Sequence, residues 1–135
     1  LGKLKKAFLM IAGKAVETFG MELESHQQLI LAAAEVLIEI YMAESAILKA
    51  EKVVSMTSVD NAKGQIAMAK LNLSNAVGII DEKGKEAIVY IGEGDEQRMM
   101  LMGLKRFTKY HNIPNVIALR KEISEILIKE NKYIF

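Results

Sequence analysis

The chain contains no cysteine, which excludes disulfides, a thiol nucleophile and zinc–thiolate sites. That lack fits a reducing compartment. It has one proline, Pro114, and few aromatic residues. Such a composition argues against a turn-rich β-sandwich and for long helices. No apolar run approaches the roughly 20 residues of a membrane span; Glu35, Glu39 and Glu44 interrupt the longest ones. No secretory signal pattern is present. The net charge is only +1, so no global field recruits nucleic acid, which is not expected as a partner.

What remains is ample material for a core. The chain has 135 residues, 51% of them hydrophobic. One domain of this size buries roughly 68% of its unfolded surface without a staple. The first residue is Leu1, and a helical stripe of Leu1, Leu4, Phe8, Ile11, Ala15 and Phe19 is already under way there. That start predicts a fragment of a longer protein.

Apolar spacing predicts the helices. The first runs from about Lys3 to Phe19 and stops at Gly20. The second runs from about Glu24 to Met56 with neither Gly nor Pro. Two series spaced by seven run through it: Ala33, Ile40, Ile47 and Val54, and Ile30, Leu37, Glu44 and Glu51. Such length demands an antiparallel partner. Thr57, Ser58 and Asp60 mark the reversal.

Local signals then conflict. Val77–Ile80 and Lys85–Ile91, around a turn at Asp81–Gly84, read by propensity as a β-hairpin. Yet Ile66, Ala69, Leu73, Ala76, Ile80, Gly84, Ala87 and Ile91 keep steps of three and four without interruption. The longer register outweighs the shorter propensity signal, so a helix is expected from about Ser58 to Ile91. Gly92 and Gly94 end it. Asp95 is expected to cap a fourth helix carrying Met99 to Tyr110, which Pro114 terminates. Asn115 caps a last helix from Val116 to about Asn131, with Val116, Leu119, Ile123, Ile126 and Leu127 as its apolar side. The fold class is therefore all-α: an antiparallel, four-helix-bundle-like domain with two long central helices and a short extra C-terminal helix.

Few residues invite a chemical reading. Gly92-Glu93-Gly94 lacks the third glycine and the βαβ frame of a dinucleotide site, and reads as a helix stop and start. His26 and His111 do not follow a glutamate at the spacing a di-iron bundle needs. Ser25 and His26 are helical neighbours and point apart. Met99, Met100 and Met102 fit core packing beside Gly103. No catalytic, cofactor-binding or metal-binding residue is expected. Glu44, on a stripe expected to face inward, needs a partner to offset desolvation, and Arg98 is the candidate for that structural ion pair. Lys105, Arg106 and Lys109 are candidates for a docking face toward acidic lipid or a negative partner.

Two segments carry a wider likeness. IYMAESAILKAEK from Ile40 to Lys52 and GDEQRMMLMGLKRFTKYHNIPNVIALRKEI from Gly94 to Ile123 resemble the C-terminal extension of acyl-CoA dehydrogenases of the very-long-chain type and their bacterial relatives. The order of helices agrees over most of the chain, least well across Asp81–Gly94. This resemblance implies that residues 1–135 are a single helical C-terminal accessory domain, a fragment of a longer flavoenzyme. The whole enzymes use FAD to take two hydrogens from a fatty acyl-CoA, leaving a trans-2-enoyl-CoA in β-oxidation. Their catalytic glutamate and flavin contacts match no position here, so the chain alone is expected to be inactive and without cofactor. Its implied partners are the catalytic domains of the parent chain, within a homodimer and with peripheral membrane contact. The implied location is cytoplasmic, at the inner face of the membrane. The competing reading is a membrane- or partner-docking helical module with no enzymatic role.

Overall fold

A computed structural model describes residues 1–109 and 113–130 of the chain. Every regular element among them is helical: α1 (Gly2–Phe19), a short 3-10 segment (Gly20–Ser25), α2 (Gln27–Met56), α3 (Lys63–Ile91), α4 (Gly94–Phe107) and α5 (Val116–Glu130). None of these helices is long and apolar enough to cross a membrane. Tyr110, His111 and the stretch from Asn131 onward lie outside the described residues.

The boundaries follow local chemistry. Gly20 adopts φ of +51° and donates its N–H to the Val16 carbonyl, ending α1; a side chain there would be strained. α2 begins three residues later than expected. Ser25 Oγ donates to the Glu22 carbonyl and Gln27 Nε2 to the Glu24 carbonyl. These local bonds favour a tight turn over an α-helical start. At the reversal Ser58 Oγ accepts the Asn61 N–H at 3.2 Å, so Lys63, not Ser58, opens α3. Asp95 does not cap α4. Glu93 holds the cap position, and Asp95 sits in the first turn, where a carboxylate still meets the positive end of the helix dipole. Asn115 Oδ1 accepts the Ala118 N–H at 3.0 Å and caps α5 as expected.

The described chain divides into two compact units, to both of which α2 and α3 contribute. The first comprises Leu1–Tyr41 and Ala76–His111. Its core takes Leu4, Ala7, Ile11 and Ala15 from α1, Leu29, Val36 and Ile40 from α2, and Met100 and Leu104 from α4. Ala76, Ile80, Ala87, Ile88 and Ile91 from α3 are buried there as well. Thus the stretch that propensity read as a hairpin is helical, and its three-and-four register is what buries it. Gly84 lies on that stripe for a steric reason. A Cβ there would stand 2.9 Å from both Leu104 methyls and 3.5 Å from Ile11 Cδ1. Leu104 occupies the space that any larger residue at 84 would need.

The second unit comprises Met42–Asn75 and Asn112–Phe135. It buries Ala43, Ala50, Ala62, Ala67 and Ala69, small side chains that let α2 and α3 approach. On α5 no described residue is fully buried. Its expected apolar side is half-buried, while Ile117 and Ile128 face solvent. The series through Ile30 and Leu37, expected to face inward, faces outward, with Leu37 49% exposed, because Leu29, Val36 and Ile40 take the inward face.

Candidate functional site

Among the described residues no group of three or more His, Asp or Glu side chains is placed to hold a metal ion. Ser25 and His26 are both engaged in contacts within the fold. Ser25 donates to a backbone carbonyl rather than to His26. His26 Nδ1 shares a hydrogen bond with Tyr90 Oη at 2.5 Å. Its ring lies 3.9 Å, centroid to centroid, from Phe19, and Tyr90 meets it edge-on. This cluster joins the end of α1, the start of α2 and the end of α3. Sequence reading missed it: its members are 64 residues apart between His26 and Tyr90, and no periodicity links them.

Two lysines tie helices of the first unit together. Lys14 on α1 pairs with Glu96 on α4, and lies 3.4 Å from Glu17. The hydrogen bond it donates to Glu96 holds its ammonium above the ordinary lysine range, against the opposing effect of burial. Lys83 on α3 lies 3.4 Å from both Glu35 on α2 and Glu86. The charge of Glu35, then that of Glu86, raises it likewise. Gln97 performs a third tie. Its Nε2 donates to the Gly92 carbonyl at 2.8 Å and to the Val89 carbonyl at 3.4 Å, satisfying acceptors left over at the end of α3. Gly92 and Gly94 flank this joint, so Gly92-Glu93-Gly94 is a helix stop and start.

Glu44 is half-buried on α2, within the second unit. Arg98 is exposed on α4, its guanidinium 3.6 Å from the Asp95 carboxylate. Lys105 and Arg106 end α4, where cations complement the helix dipole, and Lys109 follows; all three are exposed. Of the methionines only Met100 is buried, whereas Met99 and Met102 face solvent. With Leu104 inward, the 3.6-residue period puts both on the outer side.

The second unit holds a groove of about 360 Å³ between α2 and α3. Ile47, Ala50, Val54, Ile66, Ala69 and Leu73 form its apolar wall, with Glu51, Ser55 and Lys70 also lining it. Ser55 Oγ is held by the Lys52 carbonyl at 2.8 Å.

The family model described as acyl-CoA dehydrogenase, C-terminal domain, matches residues 3–106. A probable acyl-CoA dehydrogenase of Bacillus subtilis (strain 168) is 28% identical over 129 residues, which is 96% of this chain and 22% of that protein. The crystal structure of an acyl-CoA dehydrogenase complexed with FAD from Bacillus anthracis superposes with a TM-score of 0.95 at 29% identity, over 99% of this chain and 23% of its own. The chain therefore spans less than a quarter of the length of these relatives.

Proposed function

The chain belongs to the family of acyl-CoA dehydrogenase C-terminal domains, and from that membership we propose that it serves as the non-catalytic helical domain of an FAD-dependent acyl-CoA dehydrogenase. The observation that carries this reading is the near-complete superposition of the chain on one part of a flavin-containing relative. Contacts of Lys14, Lys83 and Gln97 tie its helices to one another. In the parent protein, flavin binding and α-proton abstraction belong to residues outside this chain, and the acyl-CoA is oxidised to the 2-enoyl-CoA there. Residues 1–135 act as one accessory domain with a four-helix-bundle-like array. They pack on the catalytic domains and bias the parent toward a homodimer of the very-long-chain type. Glu44 and Arg98 serve structural ion pairing, so neither Glu44→Gln nor Arg98→Gln abolishes turnover. The location is cytoplasmic.

The test compares the parent protein with and without residues 1–135, alongside the 135-residue chain alone. The isolated chain is expected to hold no flavin and oxidise no acyl-CoA, while removing it from the parent changes the sedimentation coefficient of the assembly. Stoichiometric FAD bound by the isolated chain sinks the proposal. The exposed Lys105, Arg106 and Lys109 favour a second reading, peripheral contact with the inner face of a membrane. Co-sedimentation with anionic vesicles that survives Lys105→Glu/Arg106→Glu unchanged eliminates it.

A further inference from the structure

The outer face of α1 and α4 is self-complementary, and we infer that it pairs with the same face of a second copy of this chain. The two helices run antiparallel. Lys14 pairs with Glu96, while a Cβ on Gly103 would meet Met10 Sδ at 3.2 Å; the numbers rise along one helix as they fall along the other. Ile11 and Leu104 are both buried beside Gly84 of α3. At about 100° per residue, the opposite sides of both helices face away from α3. Those outward sides carry Leu9 and Val16 on α1, 65% and 58% exposed, and Met99 and Met102 on α4, 72% and 65% exposed. Gly13, between Leu9 and Val16, has nothing within 4 Å of its missing side chain, so a neighbouring surface can approach closely there.

Charge is sorted along the same face. The antiparallel register places the start of α1, with Lys3, Lys5 and Lys6, at the end where α4 finishes with Lys105, Arg106 and Lys109. No acidic residue occurs in residues 1–16 or 97–109. The opposite end gathers Glu17, Glu22 and Glu24 with Glu93, Asp95 and Glu96. The cations nearby, Lys14 and Arg98, are held by Glu96 and Asp95. The face thus reads basic, apolar, acidic from one end to the other.

A twofold axis lying in this face and crossing the helices at their middles sets apolar centre on apolar centre and each basic end on an acidic end. Residues 6 and 17 of α1 are centred on the same level as residues 95 and 106 of α4, given the Lys14–Glu96 and Met10–Gly103 register. One axis therefore matches Lys6 to Glu17 and Arg106 to Asp95 across the pair. Such an isologous contact closes at two copies. An anionic lipid surface suits only the basic end and repels the acidic one, so the second copy is the better occupant. The pairing deepens the homodimer proposed above and rests on it only as a clause of that reading. Flavin binding by the isolated chain fails the family-based reading and leaves the pairing standing; a monomeric chain does the reverse.

Sedimentation equilibrium of the 135-residue chain tests the pairing. A dimer is expected whose dissociation constant rises at least about tenfold between roughly 50 and 500 mM salt, as screening of facing charges requires. Lys6→Glu/Arg106→Glu and Glu17→Lys/Asp95→Lys should each be monomeric where the wild type pairs, and an equimolar mixture of the two should restore the dimer. Leu9→Gln/Met102→Gln, with an unchanged circular dichroism spectrum, should weaken it about tenfold through loss of apolar burial alone. A monomeric wild type overturns the inference, including one that binds anionic vesicles as a monomer. So does a dimer indifferent to every variant, or a charge-swapped mixture that stays monomeric.

Discussion

Alanine at position 84 should destabilise the chain, while the same substitution at position 78 of the same helix should stabilise it. Alanine is favoured over glycine inside a helix by about 1 kcal/mol. At Gly78 nothing lies within 4 Å of an added Cβ, so that gain is realised in full. At Gly84 the Cβ arrives 2.9 Å from both methyls of Leu104, a side chain with no exposed surface. Carbon atoms in contact sit at about 3.5–4.0 Å, so Leu104 must retreat by about 0.6–1.1 Å into packed neighbours that include Ile11. Overpacking of this kind costs about 1–3 kcal/mol. Set against the helical gain, the net is a loss of about 0–2 kcal/mol at 84 against a gain of about 0.5–1 kcal/mol at 78. Thermal melts of both variants followed at 222 nm should move in opposite directions, by a few degrees per kcal/mol. The Leu104→Ala background sharpens the comparison. That change alone costs about 2–5 kcal/mol, yet within it Gly84→Ala should become stabilising. Equal melting temperatures for the two alanine variants, or a clash that persists without the leucine, would refute the steric account.

Gln97→Ala should cost about 0.5–1.5 kcal/mol by orphaning the Val89 and Gly92 carbonyls, read by urea unfolding; a neutral result removes its capping role. Tyr90→Phe should cost a similar ~0.5–1.5 kcal/mol by leaving His26 Nδ1 without the phenol, with the ring stacking on Phe19 kept. An unchanged urea midpoint would show that the bond adds nothing. Lys14 makes stability sensitive to alkali. Its ammonium, held by Glu96, titrates above the ordinary value of 10.5, so its contribution is complete below that value and is lost as pH rises through the higher folded one. Lys14→Met should flatten the fall in melting temperature between about pH 9 and 12; an identical slope contradicts the assignment.

The helices were legible in the sequence because burial repeats every three or four residues, and α3 shows how far that signal reaches. Its Val77–Ile80 and Lys85–Ile91 stretches favour strand by residue type, but the register of Ala76, Ile80, Gly84, Ala87 and Ile91 is what the core reads. Exact starts were less legible. Glu24 and Ser58 mark the expected starts, and each is displaced because a local side-chain bond holds the backbone in a tighter turn: from Ser25 and Gln27 at the first, and to Ser58 itself at the second. The stripe through Ile30 and Leu37 lies on the outer side of α2, and a helix apolar on several sides does not declare which one is inward. Met99 and Met102 illustrate the same ambiguity: hydrophobic type suggested the core, while position relative to Leu104 put them outside. The polar ties were invisible from spacing. Lys14 and Glu96, Glu35 and Lys83, and His26 and Tyr90 meet only because the chain reverses between them. Membership of a family whose members are far longer was legible from segments at Ile40–Lys52 and Gly94–Ile123.

Gln97 has an effect on cooperativity. Its one amide group grips the Val89 carbonyl in the last turn of α3 and the Gly92 carbonyl just beyond it. If α4 peels away, α3 loses acceptor satisfaction at its end in the same event, so the two should open as a single foldon. Amide protons near Ile91 and those in the first turns of α4 should then exchange with one shared opening free energy, as though no glycine break lay between them.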